Sequence, residues 1–142
     1  MKQIFAILAF TIAVAGLPAF SVAQNAHMPD LKDRWSGMSE TIVMGKAPHH
    51  DGSQNTPRMS AVKFTLTIDG QEGRRVWGTV GSPADRERIL GVIGFDSKTL
   101  TAQDSDGLLQ GTIVDRDTIE IIYSHATGSS AVVSGITMKR EK

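Results

Sequence analysis

The chain contains no cysteine, so disulfides, thiolate nucleophiles and a lipidated N-terminal cysteine are excluded together. It has no excess of charge of either sign, with 15 Lys and Arg against 15 Asp and Glu. Such a balance leaves no electrostatic footprint for nucleic acid or an anionic membrane, and no nucleic-acid partner is expected. Beyond residue 23 the only aromatic residues are Trp35, Phe64, Trp77, Phe95 and Tyr123, too few for a base-stacking platform. There is no Gly-x-Ser-x-Gly elbow, no His-Glu-x-x-His, no phosphate-cradling Gly-x-x-x-x-Gly-Lys and no dinucleotide fingerprint. No cofactor is called for by these motifs. No segment with a helical period is long enough for a parallel crossover, which removes α/β folds.

The one long apolar run lies at the start. Lys2 is followed by an almost wholly apolar stretch from Ile4 to Leu17, and Ser21-Val22-Ala23 places small residues at the −3 and −1 positions of a cleavage site. This predicts a secretory signal peptide over residues 1–23, cut between Ala23 and Gln24. Even counted across Pro18 the run barely reaches the ~20 residues that a membrane span requires. The expected product is exported, periplasmic or extracellular, with no membrane span after cleavage. It has a polar N-terminal arm over residues 24–32 and a single domain over residues 33–142. A chain of that size buries roughly two-thirds of its unfolded surface and needs neither metal nor disulfide to fold.

What the domain has in quantity is alternation. Val62, Phe64, Leu66 and Ile68 alternate with Lys63, Thr65 and Thr67, a period of two that gives a strand one apolar face. Asp69 to Gly73 turns the chain, and Val76, Gly78 and Val80 alternate again, so the pair reads as a β-hairpin. Before it, Asp33 to Met44 reads as a first strand, with Trp35, Gly37, Ser39, Thr41 and Val43 on one face and Arg34, Met38, Glu40 and Ile42 on the other. After it come Arg86 to Phe95, Thr99 to Gln103, Leu108 to Val114, Thr118 to His125 and Ser130 to Arg140. Met28 to Lys32 is a candidate for one helical turn, since proline suits a helix start. The Gly45–Met59 connection, with two prolines and two glycines, is the single long one.

Eight strands with short links pair antiparallel in sequence order. The predicted fold is an all-β, eight-stranded antiparallel up-and-down barrel, with a β-sandwich as the alternative. Glycines inside strands, at Gly37, Gly78, Gly91, Gly111 and Gly135, favour a sharply curved sheet and hence the barrel. A meander sends alternate connections to opposite ends. One end then carries the Gly45–Met59 loop, Ser82–Asp85, Asp104–Gly107 and Ala126–Ser129; the other carries the N-terminal arm, Gly70–Gly73, Asp96–Lys98 and Asp115–Asp117. Tyr123 and His125 finish their strand at the first end, and if Ile119 and Ile121 point inward, so do they.

Asp33-Arg34-Trp35-Ser36-Gly37, a tryptophan on the opening strand, resembles the first strand of the calycins, the avidin-like and lipocalin-like barrels. Trp77-Gly78-Thr79-Val80 is similar to the aromatic-bearing strands of the avidin-like members. The resemblance covers strand count and connectivity over residues 33–142 and, in motif, the first strand. Asp33 stands where the lipocalin pattern has glycine, and the lipocalin disulfides have no cysteines here. The resemblance implies a barrel and a ligand-binding habit, and it carries over no ligand residue.

Four places carry chemistry. His49-His50-Asp51 supplies donors for Zn²⁺ or Cu²⁺, and the barrel brings His125, Asp104 and Asp106 to the same end. Adjacent histidines point apart on extended chain, so a solvated polar loop is the alternative. Asp104-Ser105-Asp106-Gly107 resembles a fragment of a calcium loop, but the third acid and distant Glu of that pattern are missing, and a hairpin turn accounts for it. Glu40, were it to face inward, is a candidate acid or base; facing outward it is a surface charge. Tyr123 and His125 form a candidate proton-transfer couple or a half-buried packing pair. The functional expectation is an exported non-catalytic binding module that holds a small apolar or amphipathic molecule inside the barrel, with Tyr123, His125, Ser39 and Thr41 as the polar contacts. The alternatives are an isomerase- or cyclase-like enzyme, by analogy with allene-oxide-cyclase-like barrels, and a protein-interaction or inhibitor module of the cell envelope. The last would act through its loops or the doubly apolar Arg86–Phe95 strand, a homo-oligomer included.

Overall fold

The computed structural model describes residues 27–47, 56–128 and 130–142. The expected signal peptide, its cleavage point and His49-His50-Asp51 lie outside the described residues. Among the described residues the regular structure is entirely β: β1 (Asp33–Met44), β2 (Arg58–Ser60), β3 (Lys63–Glu72), β4 (Arg75–Gly81), β5 (Arg86–Ile93), β6 (Thr99–Gln103), β7 (Gly107–Asp115), β8 (Thr118–Ala126) and β9 (Ala131–Arg140). β1 and β3 to β9 pair antiparallel in sequence order, and β9 pairs back to β1 over Trp35–Met44. The eight-stranded antiparallel barrel is therefore closed, and closure removes the edges that a sandwich would keep. Among the described residues no helix is long and apolar enough to cross a membrane.

Alternation decides which face turns in. Phe64, Leu66 and Ile68 of β3, Ile89 and Ile93 of β5, and Ile119 and Ile121 of β8 are all buried in one core. On β1 the inward face is the one that begins at Trp35 and runs through Ser39, Thr41 and Val43, all buried. Glu40 is on the other face and exposed, so its role as a desolvated acid or base falls. Gly78 belongs to the curvature: a methyl group there would overlap the Thr67 carbonyl on β3.

β2 begins inside the connection that the sequence pattern marks as loop, at Arg58 and Met59. It continues β3 across a break at Ala61-Val62, because Thr41↔Ser60 and Met38↔Lys63 keep one register along β1. At the break Ser39 N still donates to Val62 O (2.9 Å), while Val62 N donates to Ser39 Oγ (3.0 Å). A hydroxyl thus takes the amide hydrogen that a ladder carbonyl would otherwise accept.

The arm closes the second end, but not as a helix: residues 27–32 are irregular. Leu31 is fully buried against Trp35, whose Nε1 donates to Leu31 O (3.1 Å). Gln71 holds the arm from β3, accepting from Leu31 N (2.8 Å) and donating to Pro29 O (2.8 Å).

β5 ends two residues earlier than its apolar period suggested. Asp96 Oδ1 accepts from Lys98 N (2.9 Å) and Thr99 N (3.0 Å), and Ser97 sits at φ 57°, so the chain turns at Gly94. Phe95 is left almost fully exposed, its ring 5.2 Å from the Arg74 guanidinium carbon. The outer face of β5, the second apolar face of that strand, carries exposed Leu90 and Val92.

Candidate functional site

β8 delivers the site. Its inward face continues from Ile119 and Ile121 to Tyr123 and His125, as the alternation implied. Tyr123 pairs with Leu109 on β7 and Ser134 on β9, and His125 pairs with Gly107 and Val132. Gly107 is there for room: a methyl group at that position would overlap the Tyr123 ring and hydroxyl.

The Asp104–Gly107 turn forms the rim opposite. Asp104 Oδ1 accepts from Gly107 N (2.6 Å) and Asp106 N (3.2 Å), a local bond that curls the turn. Asp106 is thereby raised beside β8, where Oδ1 accepts from the Tyr123 hydroxyl (3.4 Å) and Oδ2 lies 3.1 Å from His125 Nδ1. That last approach is close enough for charge pairing, yet off the line along which a ring N–H donates. Neither His125 nitrogen makes a hydrogen bond, although the residue is only 4% exposed.

Glu87 completes the rim, and sequence reading missed it. It shares the inward face of β5 with Ile89 and Ile93, while Arg86 and Arg88 beside it are exposed on the outer face. The β5–β6 ladder, ending at Leu90↔Gln103, delivers the Asp104–Gly107 turn to the Glu87 end of β5. Glu87, Asp104 and Asp106 bring carboxylate oxygens within 4.8 Å of one another, and Ser105 Oγ donates to Glu87. The signal in the sequence is the period of two along β5, which puts Glu87 on the face of Ile89 and Ile93.

Burial, and then the carboxylates of Asp104, Asp106 and Glu87, hold the Tyr123 phenol well above its ordinary value of 10.0. The phenol is therefore neutral and able to donate at any physiological pH.

Of the four expected ligand contacts, all are on the barrel's inner face, but two are occupied with each other. Thr41 Oγ1 donates to Ser39 Oγ (2.9 Å) and lies 2.7 Å from Ser134 Oγ. The three hydroxyls bond one another within the buried interior. The space beneath the rim, lined by Phe64, Val80, Leu109, Tyr123 and Met138, has a volume of about 20 Å³. One water fits such a space. An apolar ligand of the expected kind requires several hundred Å³, far more than this space among the described residues.

The outer wall offers more. Trp77↔Leu90, Leu90↔Gln103 and Gln103↔Leu108 align one row across β4 to β7, with Val92 one step along. Leu90 is 73% exposed, Val92 51% and Trp77 44%. They line a groove of about 550 Å³ edged by Glu72 and Arg75. A second outer groove of about 740 Å³ crosses β9, β1 and β2 at Ile42, Met59 and Val133. No protein-family model matches the chain, and no curated protein or solved structure matches it.

Proposed function

We propose that this chain is an exported, non-catalytic binding module of calycin-like architecture that takes an apolar or amphipathic partner on its outer wall. The row Trp77, Leu90, Leu108 with Val92 carries the reading. Apolar side chains clustered in this way mark a contact surface, whereas single exposed ones need no explanation. The contrast in volume points the same way, about 550 Å³ outside against about 20 Å³ beneath the mouth. Polar Gln103 within the row, with Glu72 and Arg75 at its edge, suits an amphipathic partner better than a wholly apolar one.

The test is binding of an environment-sensitive apolar dye, followed by its fluorescence and by Trp77 emission. Leu90→Lys is expected to weaken the dye at least tenfold, and Tyr123→Phe at the mouth to leave it unchanged. Loss of binding in Tyr123→Phe with Leu90→Lys unaffected would return the site to the barrel interior and end this reading.

A second reading has its own observation. Apolar grooves on two separate faces, the second at Ile42, Met59 and Val133, suit a protein partner or another copy of the chain. Sedimentation over a concentration series separates the cases: a mass that rises with concentration and falls back in Leu90→Lys favours self-association.

A further inference from the structure

We infer that the mouth at the first end is a binding site for one hard divalent cation, Ca²⁺ or Mn²⁺, held by Glu87, Asp104 and Asp106. This goes beyond the outer-wall reading and does not depend on it.

The donor set comes first. Three carboxylates from two separate elements, the inward face of β5 and the β6–β7 turn, place oxygens within 4.8 Å of one another. Donor atoms around a hard cation are separated by such distances when each lies about 2.3–2.6 Å from the ion. Without a cation these like charges oppose one another, in the half-buried setting that already suppresses ionisation of Tyr123. Oxygen-only ligation selects Ca²⁺, Mn²⁺ or Mg²⁺ over softer metals. Mg²⁺ demands near-ideal octahedral geometry and gives up its waters reluctantly, so it is the weaker fit to three carboxylates whose positions the fold sets.

A crowd of acids is not by itself a site. The second, independent observation is His125. Its side chain is 98% buried, with 2% relative exposure, and both ring nitrogens lack hydrogen bonds. A buried imidazole without partners is rare and costly. Its Nδ1 nevertheless faces the cluster, 3.1 Å from Asp106 Oδ2 but out of line. At that separation a small rotation of the Asp106 carboxylate on cation binding would let Oδ2 accept from Nδ1–H, the bond the ring lacks. His125 is thus a positioning residue for Asp106, of the kind that orients ligands from behind. Tyr123, donating to the other oxygen of Asp106, supports the same carboxylate from the rim.

The experiment uses the full mature chain, freed of metal with a chelator and titrated separately with CaCl₂, MnCl₂ and ZnCl₂ by calorimetry. Ca²⁺ or Mn²⁺ is expected to bind one per chain with a Kd of about 0.1–1 mM, the range of weak extracellular modules, and to raise the melting temperature. Glu87→Gln and Asp106→Asn are each expected to weaken binding at least tenfold. Asp96→Asn, in a similar turn at the opposite end, is expected to change nothing. His125→Gln is expected to weaken binding severalfold while leaving one site per chain. Absence of heat and of any rise in melting temperature up to about 10 mM Ca²⁺ or Mn²⁺ overturns the proposal, since even the weakest modules of this kind bind below that. Binding that survives both Glu87→Gln and Asp106→Asn, or that Zn²⁺ alone produces, overturns it too.

Discussion

Arg140 lays its guanidinium over the indole of Trp35, with its central carbon 4.1 Å from the ring centroid. The last strand is thereby clamped to the first at the second end of the barrel. The same guanidinium donates to Arg116 O (2.9 Å), Asp30 O (3.0 Å), Lys32 O (3.1 Å) and Asp33 Oδ2 (3.2 Å). It ties the arm, the β7–β8 turn and β1 into one unit. Removing it leaves three carbonyls without that donor and takes a cation from the face of a fully buried tryptophan. Arg140→Met is expected to cost about 2–4 kcal/mol, from a cation–π contact of about 0.5–2 and charged hydrogen bonds of about 1.5–3 that are not additive. Lysine keeps the charge but not the planar fork, so Arg140→Lys should recover less than half of the loss. Urea midpoints at unchanged slope measure both, and equal stability of Arg140→Met and wild type would refute the clamp.

A second prediction separates two hydroxyls that look alike in sequence. Ser39 Oγ accepts from the Val62 amide as well as from Thr41, so Ser39→Ala leaves a backbone donor without its acceptor at the strand break. Thr41→Val removes side-chain bonds only. The expected costs are about 2 kcal/mol for Ser39→Ala and about 1 kcal/mol for Thr41→Val. Hydrogen exchange of the Val62 amide should accelerate in the first variant and stay near wild type in the second.

The barrel was legible because its evidence is local and repeated. Each β-segment announces its faces by alternation, and short links leave antiparallel neighbours as the pairing. Registers between strands, however, depend on side chains from separate segments fitting together. Glu87 joins Asp104 and Asp106 only through the Leu90↔Gln103 alignment, which no single segment encodes. The break at Ala61-Val62 escaped for a related reason: it is stabilised by the hydroxyl of Ser39, some twenty residues away in the chain. Interior volume was the least legible quantity, because alternation says which residues face inward and not how completely they fill the space. Phe95 shows the reverse error, an apolar residue that kept the period after the backbone had already turned at Gly94.

Three surface acids set the behaviour in acid. The Asp96 carboxyl is held below its ordinary value of 3.8, first by the Lys98 amide and then by that of Thr99. The Asp117 amide does the same for Asp115, and the Arg34 amide, followed by the Arg140 side chain, for Asp33. In each case the folded chain binds the proton less readily than the unfolded one. The contribution is therefore complete above the ordinary carboxylate value and is lost as pH falls through the lowered folded value. Urea midpoints should be flat near about pH 6 and decline between about pH 4 and pH 2, with Asp96→Asn showing a shallower decline. A decline that begins well above pH 4 would assign acid sensitivity to other groups.

Tyr123 makes the opposite case at high pH, and it can be followed without interference because it is the only tyrosine in the chain. Its phenol is raised above the ordinary value of 10.0, first by burial and then by the three rim carboxylates. The unfolded chain loses this proton first, so stability should fall as pH rises past about 10 and keep falling until the folded phenol ionises. Tyrosinate absorbance in the folded protein should accordingly lag behind that of the urea-unfolded chain. Gly107 supplies the check. A methyl group there overlaps the ring, and since the ring is the free end of a side chain, it can swing outward at little cost. Gly107→Ala should therefore leave stability within about 1 kcal/mol of wild type, while tyrosinate appears at markedly lower pH as the ring leaves Asp106 for solvent. If the titration of Gly107→Ala matched that of wild type, the ring would not depend on Gly107 for its place beside the acidic rim.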